Sequence, residues 1–508
     1  MSDKKILSLD NLKKIISNKK LKGKKIVLCH GVFDLLHIGH IKHFNEAKKL
    51  GHYLVVTTTP DSYVNKGPGR PVFSSNLRLQ ALAALESIDY VSENKWPSAV
   101  ETIKYLQPNI YCKGPDYQRY NEDITGKIEE EEKAIRSIGG KIKFTNDITF
   151  SSSNILNKFG SIYNESQASL LKKIKANYNY NKIKLLIDSL KKLKVLIVGE
   201  TIIDEYIFCE ALGKSGKEPV LAIRDLKSQQ YAGGASVIAR HLSDFCGSIT
   251  FLSMLGETRE HERFVKENFS KNVKTTFIYK KGSPTIVKKR YVDDINNNKV
   301  LGVYSINDDE LNKTNEEQFQ KNLLKLIPRH DLVIVADFGH GFISRSSAKI
   351  ISKKSNSIAL NAQVNAANIG YHSMDKYEKI QCIVINEAEL RHQFREKKGS
   401  LIPLMKKLST KHKALNLVVT QGKDGAMLYH RKSDKIEVCP AFASSIIDKV
   451  GAGDAMLALL SISLHKSYDK SISLFIGSLA AAQSVESIGN SKAVNKNQML
   501  KTIQHLLK

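Results

Sequence analysis

Four histidines, His30, His37, His40 and His43, fall within the stretch CHGVFDLLHIGHIKHF, residues 29–44. Imidazoles this close can hold a metal, contact phosphate, or decorate a polar helix face. Zinc is poorly served, because the run has neither a clear fourth ligand nor an HExxH arrangement. A helix starting near Gly39 sets His40 and His43 one turn apart on one face and leaves His37 and Gly39 in the loop before it. There a glycine lets backbone and phosphate approach closely, and the start of a helix after a strand is where α/β sheets bind anions. A polar helix face accounts well for His43 and poorly for His37 and His40. A second cluster lies in IIDKVGAGDAMLALL, residues 446–460. Gly451, Ala452 and Gly453 run into an apolar helix and expose successive N–H groups at its positive end, which suits a phosphate or a developing anion. Asp454 follows directly, where it could take a proton from an attacking hydroxyl. In isolation the same residues also describe an ordinary helix start with an acidic first turn.

Both clusters need elements to hold them. NLKKIISNKKLKGKKIVLCHG and NKIKLLIDSLKKLKVLIVGE share one layout: a basic amphipathic helix, a short apolar strand, then glycine. A fully apolar strand ending in glycine reads as the central strand of a parallel sheet, so α/β domains are expected from near Lys22 and Lys194. In the first, strand-like YLVVTTT and IYCKG alternate with helical NLRLQALAALES and IEEEEKAIRSIG, the pattern of a doubly wound sheet. In the second, VLIVG, DLVIVADFG, IQCIVIN and LNLVVTQG are each followed by a helical stretch. EPVLAIRDLKSQQY and TIVKKRYVDDINNNKVLGVYSI have a period-two texture and predict a small β lid. The polar, basic SIYNESQASLLKKIKANYNYNKIKLL, free of Pro and Gly, reads as a helical connector. The expected layout is a domain over 1–160, a basic helical linker over 161–193 and a second domain over 194–508.

Composition bounds the function. With 508 residues the chain is too long for one ordinary core. A net charge of +27 invites nucleic acid as a partner, but the lysines are spread along the whole chain, and a basic cleft also suits polyphosphate substrates. The expectation is small-molecule partners, with neither nucleic acid nor membrane. Six cysteines without a CxxC pair suggest neither a zinc knuckle nor a disulfide framework. The charged N-terminus lacks the apolar core of a signal peptide, and no apolar run approaches a membrane span. A cytoplasmic location fits.

HxGH after a GxFD strand end resembles the nucleotidyltransferase superfamily that includes glycerol-phosphate, phosphocholine and heptose-phosphate nucleotidyltransferases. NKGPGRPVF, NLRLQALAAL, IYCKGPDY and TFSSSNIL follow in the order of the heptose-phosphate type. The resemblance implies that His37 and His40 bind NTP phosphates and stabilise the charge on the α-phosphate, with Gly31, Phe33 and Gly39 shaping the site. It makes Lys66 and Arg78 anion-binding candidates, lets Lys113 and Asp116 line the site, and has Ser151, Ser152 and Ser153 cap a helix that meets the nucleotide. DKVGAGDA and YAGGASVIARHL resemble the two signatures of PfkB/ribokinase-type sugar kinases. That resemblance implies Asp454 as general base, Gly451 to Gly453 as anion hole, and Asp204, Gly233 and Gly234 at the sugar. Asn386 and Glu389 form the NxxE pattern associated with Mg²⁺ and phosphate, Glu389 acting on the metal indirectly, while Gly422 and Gly425 shape the nucleotide-side turn.

Together the halves resemble the bifunctional kinase and adenylyltransferase enzymes of ADP-heptose synthesis, with the transferase half placed first. The resemblance implies Mg²⁺, ATP as kinase donor, ATP or CTP as nucleotidyl donor, and a homodimer through the β lid. Val237, Asn361, Gln363 and His340 depart from the kinase pattern and remove groups that could grip a phosphorylated sugar. The alternatives are a cytidylyltransferase for a polyol phosphate joined to a kinase of other specificity, or to a kinase-like module without turnover.

Overall fold

The computed structural model describes residues 2–64, 70–114, 127–145, 163–295, 298–364, 368–369, 371–443 and 445–507. They divide into two compact units, residues 1–164 with 500–508, and residues 165–499. Both are α/β.

In the first unit, β1 (Ile26–Gly31), β2 (Tyr53–Thr58), β3 (Tyr90–Glu93), β4 (Ile110–Lys113) and β5 (Lys141–Phe144) form one sheet of order β3-β2-β1-β4-β5. Every pairing is parallel. The order reverses at β1, so the ligand crevice of such a sheet opens at the carboxyl ends of β1 and β4. Successive residues of β1 feed two cores, which is why its sequence is apolar throughout. Ile26 and Leu28 pack with Leu12, Ile16 and Ile103 on one face. Val27 and Cys29 pack with Phe44, Ala47 and Leu82 on the other. Each aliphatic side chain buried this way contributes about 1.5–3 kcal/mol.

In the second unit, β6 (Lys194–Gly199), β7 (Thr201–Lys214), β8 (Leu221–Gly234), β9 (Ser248–Gly256), β10 (Val273–Lys280), β11 (Ile286–Asp293) and β12 (Lys299–Ser305) are followed by β13 (Leu332–Asp337), β14 (Ile358–Ala362), β15 (Cys382–Asn386), β16 (Asn416–Thr420), β17 (Ala426–His430) and β18 (Lys435–Cys439). A nine-stranded sheet runs β10-β9-β6-β13-β14-β15-β16-β17-β18. It is parallel until β17 and β18 add antiparallel at one edge. The two β-rich interruptions supply β8, β11 and β12, which join β7 in a separate four-stranded sheet of order β12-β11-β7-β8.

The segment 161–193 differs from a free linker. Helices Glu165–Asn177 and Tyr180–Ser189 bury Leu170, Leu171, Ile174, Ile183 and Ile187. Gln167 donates to the Ala441 carbonyl at 2.6 Å, and Lys173 pairs with Glu437 at 2.6 Å. From Glu165 onward these residues belong to the second unit, whereas residues 500–508 group with the first. The apolar face was hidden in the sequence by the lysines between its members.

Candidate functional sites

The first cluster sits at the carboxyl end of β1. Helix Ile38–Lys49 starts one residue before Gly39, and His37 is its N-cap, its ring Nδ1 accepting the Gly39 N–H at 3.2 Å. The rings of His37 and His40 stack with centroids 4.0 Å apart, and Phe33 meets His40 edge-on at 5.5 Å. Phe33 holds a left-handed backbone, φ 49°, and its ring edge lies 2.9 Å from where a Cβ on residue 31 would stand, so Gly31 leaves room for it. Phe33 is thus placed as a wall for His40. His30 sits between the Thr57 and Thr59 hydroxyls at 2.9 and 3.3 Å. Asp34, 2% exposed, accepts the N–H groups of Val72 and Phe73 at 2.7 and 3.1 Å. Its role as an organiser of this loop has no local signal beyond the GxFD pattern. His43 is no solvated helix-face residue: it is half-buried, with Nδ1 3.0 Å from the Thr145 hydroxyl.

Arg78 departs from its expected role. Its side chain is sealed, and the guanidinium donates to the carbonyls of Phe73, Val32 and Thr59 and to Asp61 Oδ1. Asp61 also accepts the Ser75 N–H at 2.9 Å. Arg78 therefore braces the loops after β1 and β2 against its own helix, with four of its five N–H donors given to protein acceptors. Arg78→Ala should destabilise the first unit by roughly 1.5–3 kcal/mol, the range for hydrogen bonds to a charged group. The chain's one tryptophan, Trp96, packs on this unit's core and reports its urea unfolding; an unchanged midpoint would refute the brace. Lys113, at the end of β4, is buried and paired with Glu131 at 3.0 Å. Lys66, Asp116, Ser151, Ser152 and Ser153 lie outside the described residues.

The second cluster starts helix Ala452–His465 with Gly451 as N-cap at φ 87°. A Cβ on residue 451 would collide with the Asn490 amide, so only glycine fits, while around Gly453 the space is open. Asp454, in the first turn, has its carboxyl pushed up to about 7 by burial and by the negative charges of Asp204 and Glu389. Three carboxylates thus share one field. Asp204, 4% exposed, is ion-paired with Arg290 of β11, and a Cβ on Gly233 would collide with its carboxylate. Gly234, at φ 60°, caps helix Ala235–Leu242. Asn386 and Glu389 form a reciprocal capping box, each accepting the other's backbone N–H at 2.8 Å. Burial pushes the Glu389 carboxyl up to about 7, against the N–H groups of Asn386 and Val364. Gly422 and Gly425 bound a tight turn after β16, both at positive φ, and the Cys439 carbonyl crowds Gly425.

Sequence reasoning missed several residues here, because their partners are remote in the chain. Tyr206 donates to Asp448 at 2.6 Å, and Lys299 pairs with the same carboxylate at 2.9 Å. Both come from the four-stranded sheet and tie it to the loop before Gly451. Three of the four departures have local packing or hydrogen-bond roles. Val237 is 1% exposed in the core, Asn361 donates to the Val384 carbonyl at 2.8 Å, and His340 is buried with Nδ1 2.7 Å from Asp308. Asp337 is held by Tyr377 and Lys376, both at 2.7 Å. Beyond β13 a cavity of about 410 Å³ is lined by Asp308, Asp337, Arg345, His372 and Lys376, among others.

Residues 192–497, more than half of the 508, match the family model for pfkB family carbohydrate kinases. The chain belongs to the pfkB family. Residues 28–183 match the cytidylyltransferase-like model, so that region precedes the pfkB region. Among curated proteins, the bifunctional protein HldE of Geobacter metallireducens is 38% identical over 170 residues, 32% of this chain and 33% of that protein. HldE of Aliarcobacter butzleri is 36% identical over 143 residues, 28% and 30% of the two chains. The chain thus spans about a third of the length of the curated relatives it matches. A crystal structure of phosphofructokinase-2 from Escherichia coli with substrates and products aligns with TM-score 0.50 and 16% identity, over 62% of this chain and 100% of that one. That likeness shows the fold. Among the described residues, no helix of the pfkB protein is long and apolar enough to cross a membrane.

Proposed function

We propose that the chain is a bifunctional enzyme, a carbohydrate kinase in the second unit and a sugar-phosphate nucleotidyltransferase in the first, which makes a nucleotide-activated sugar of the ADP-heptose kind for surface polysaccharide. The observation that carries the kinase half is the raised Asp454 carboxyl in the field of Asp204 at a glycine-built helix start, and for the transferase half it is the stacked pair His37 and His40 at the end of β1. A base with a pKa near 7 is matched to taking a hydroxyl proton at neutral pH. In the kinase step the sugar hydroxyl loses its proton to Asp454, its oxygen bonds to the γ-phosphorus of ATP, and the bond to the β-phosphate oxygen breaks to release ADP. The N–H groups at Gly451 to Gly453 face the charge that develops. Glu389 is a buried carboxylate whose donor type fits Mg²⁺; it would help hold that ion, which would supply neutralisation of the phosphate charge. In the transferase step a sugar 1-phosphate oxygen bonds to the α-phosphorus of the NTP and pyrophosphate leaves, while His37 and His40 stabilise the phosphate oxygens.

The test is ATP consumption by the full chain over a panel of sugars and sugar phosphates. ADP formation with one of them supports the kinase reading, and none with any overturns it. A second reading, a cytidylyltransferase for a polyol phosphate, is favoured by the description of the family model over residues 28–183, and CTP-dependent activity with a polyol phosphate would establish it. The substrates are small molecules, and six buried free thiols suit a reducing cytoplasm. The exposed Leu221, Leu226, Val300, Leu301, Val303 and Tyr304 make the four-stranded sheet the expected homodimer face. Gel filtration should give a dimer, and Leu301→Asp with Val303→Asp a monomer; a monomeric wild type would exclude that interface.

A further inference from the structure

We propose that Cys29, His43 and Cys112 form a binding site for a thiophilic cation of the zinc class, beneath the carboxyl ends of β1 and β4. The two sulfurs and one imidazole nitrogen all lie within 4.8 Å of one another. The placement follows from the fold. β1 and β4 run parallel with Val27 beside Ile110 and Leu28 beside Tyr111, so the same register sets Cys29 beside Cys112 on one face of the sheet. Helix Ile38–Lys49 covers that face through Phe44 and Ala47, and His43 precedes Phe44.

Two cysteines in an apolar core need no explanation, since free cysteine behaves as a small hydrophobe. An imidazole turned toward both of them does. Sulfur and nitrogen donors in this number suit Zn²⁺, three protein ligands leaving one position open. The Thr145 hydroxyl, 3.0 Å from His43 Nδ1, is the outer partner that orients a metal-binding imidazole: when Nδ1 donates to it, Nε2 carries the lone pair. A thiophilic cation binds cysteine as the thiolate, so its uptake here would release the thiol protons. His43 lies one turn beyond His40 on the same helix, so an ion here would tie the helix that presents His40 to β1 and β4. The site stands independently of the reaction proposed above.

The test is titration of the full chain, chelator-stripped and reduced, with Co²⁺ and then Zn²⁺. One Co²⁺ per chain should bind with a thiolate-to-cobalt charge-transfer band that Zn²⁺ abolishes. Thr145→Val should weaken Zn²⁺ affinity on the order of 10–100-fold, and Cys29→Ala with Cys112→Ala should remove the band. No band in the wild type, or the same band in the double variant, overturns the site. If the double variant does not fold, His43→Ala, which keeps both thiols, decides: unchanged affinity overturns the site. Air oxidation that consumes two thiols while the reduced chain takes up no metal would identify Cys29 and Cys112 as an oxidisable pair instead.

Discussion

Asp454→Asn is expected to reduce kinase turnover by on the order of 10²–10⁴-fold, the contribution of a positioned general base, while the second unit stays folded. The two outcomes separate because of what holds the carboxyl near 7. Its ordinary value is 3.8, and burial with two neighbouring carboxylates raises it. A carboxyl raised in this way binds its proton more tightly in the folded chain than in the unfolded one. The stability this provides is complete below the unfolded value and is lost as pH rises from about 4 through about 7. Asparagine keeps the shape and cannot ionise, so the variant should lose less stability than the wild type across that window. Turnover of the wild type runs the other way: it should rise with pH through about 7, as the base loses its proton. A variant with kinase activity near wild type would refute the assignment of Asp454. A variant that loses activity together with its thermal transition would leave the loss explained by unfolding.

The second large effect belongs to the first unit. His40→Ala should lower nucleotidyl transfer by on the order of 10²–10³-fold, the cost of removing one donor to a developing oxyanion, with kinase activity unchanged. His37 needs a different substitution, because its ring also accepts the Gly39 N–H as the helix N-cap. Alanine there would add about 1 kcal/mol of lost capping to the lost phosphate contact. Asparagine is itself a good N-cap, so His37→Asn isolates the imidazole: activity should fall with little loss of stability. Retained turnover in both His40→Ala and His37→Asn would return the stacked rings to a packing role.

The two signatures were readable because they are local. A strand, a tight turn and a helix start are set by consecutive residues, and β1, β6 and the helices at Ile38 and Ala452 fall at the glycines that mark them. The helical and strand-like runs YLVVTTT, NLRLQALAALES and IQCIVIN also became β2, helix Ser75–Ala83 and β15. What stayed hidden depends on partners far apart in the chain. Arg78 looked like an anion ligand, and only the approach of Val32, Thr59 and Asp61 shows that most of its donors face protein acceptors. Arg290, Tyr206 and Lys299 carry no motif, yet they meet Asp204 and Asp448 once β7, β11 and β12 form their own sheet, and Asn490, equally without a motif, comes up against Gly451 from the turn Ile488–Asn490. Short strands were passed over too: β3 and β5 are four residues each, at the lower limit for reading a period of two. The four-histidine run answered its own question only in part. His37 and His40 face one another, His30 is held by two threonines, and His43 turns to two cysteines whose spacing in sequence gave no hint of a pair.

The most direct test that one chain carries two separate transfer sites is a paired product assay. The 508-residue chain is offered each NTP with sugar 1-phosphates and, separately, ATP with sugars and sugar phosphates, following pyrophosphate and ADP in the wild type, His40→Ala and Asp454→Asn. Pyrophosphate lost only in His40→Ala and ADP lost only in Asp454→Asn is the predicted result. Both products lost in the same variant, or neither formed by the wild type with any pair of substrates, would contradict it.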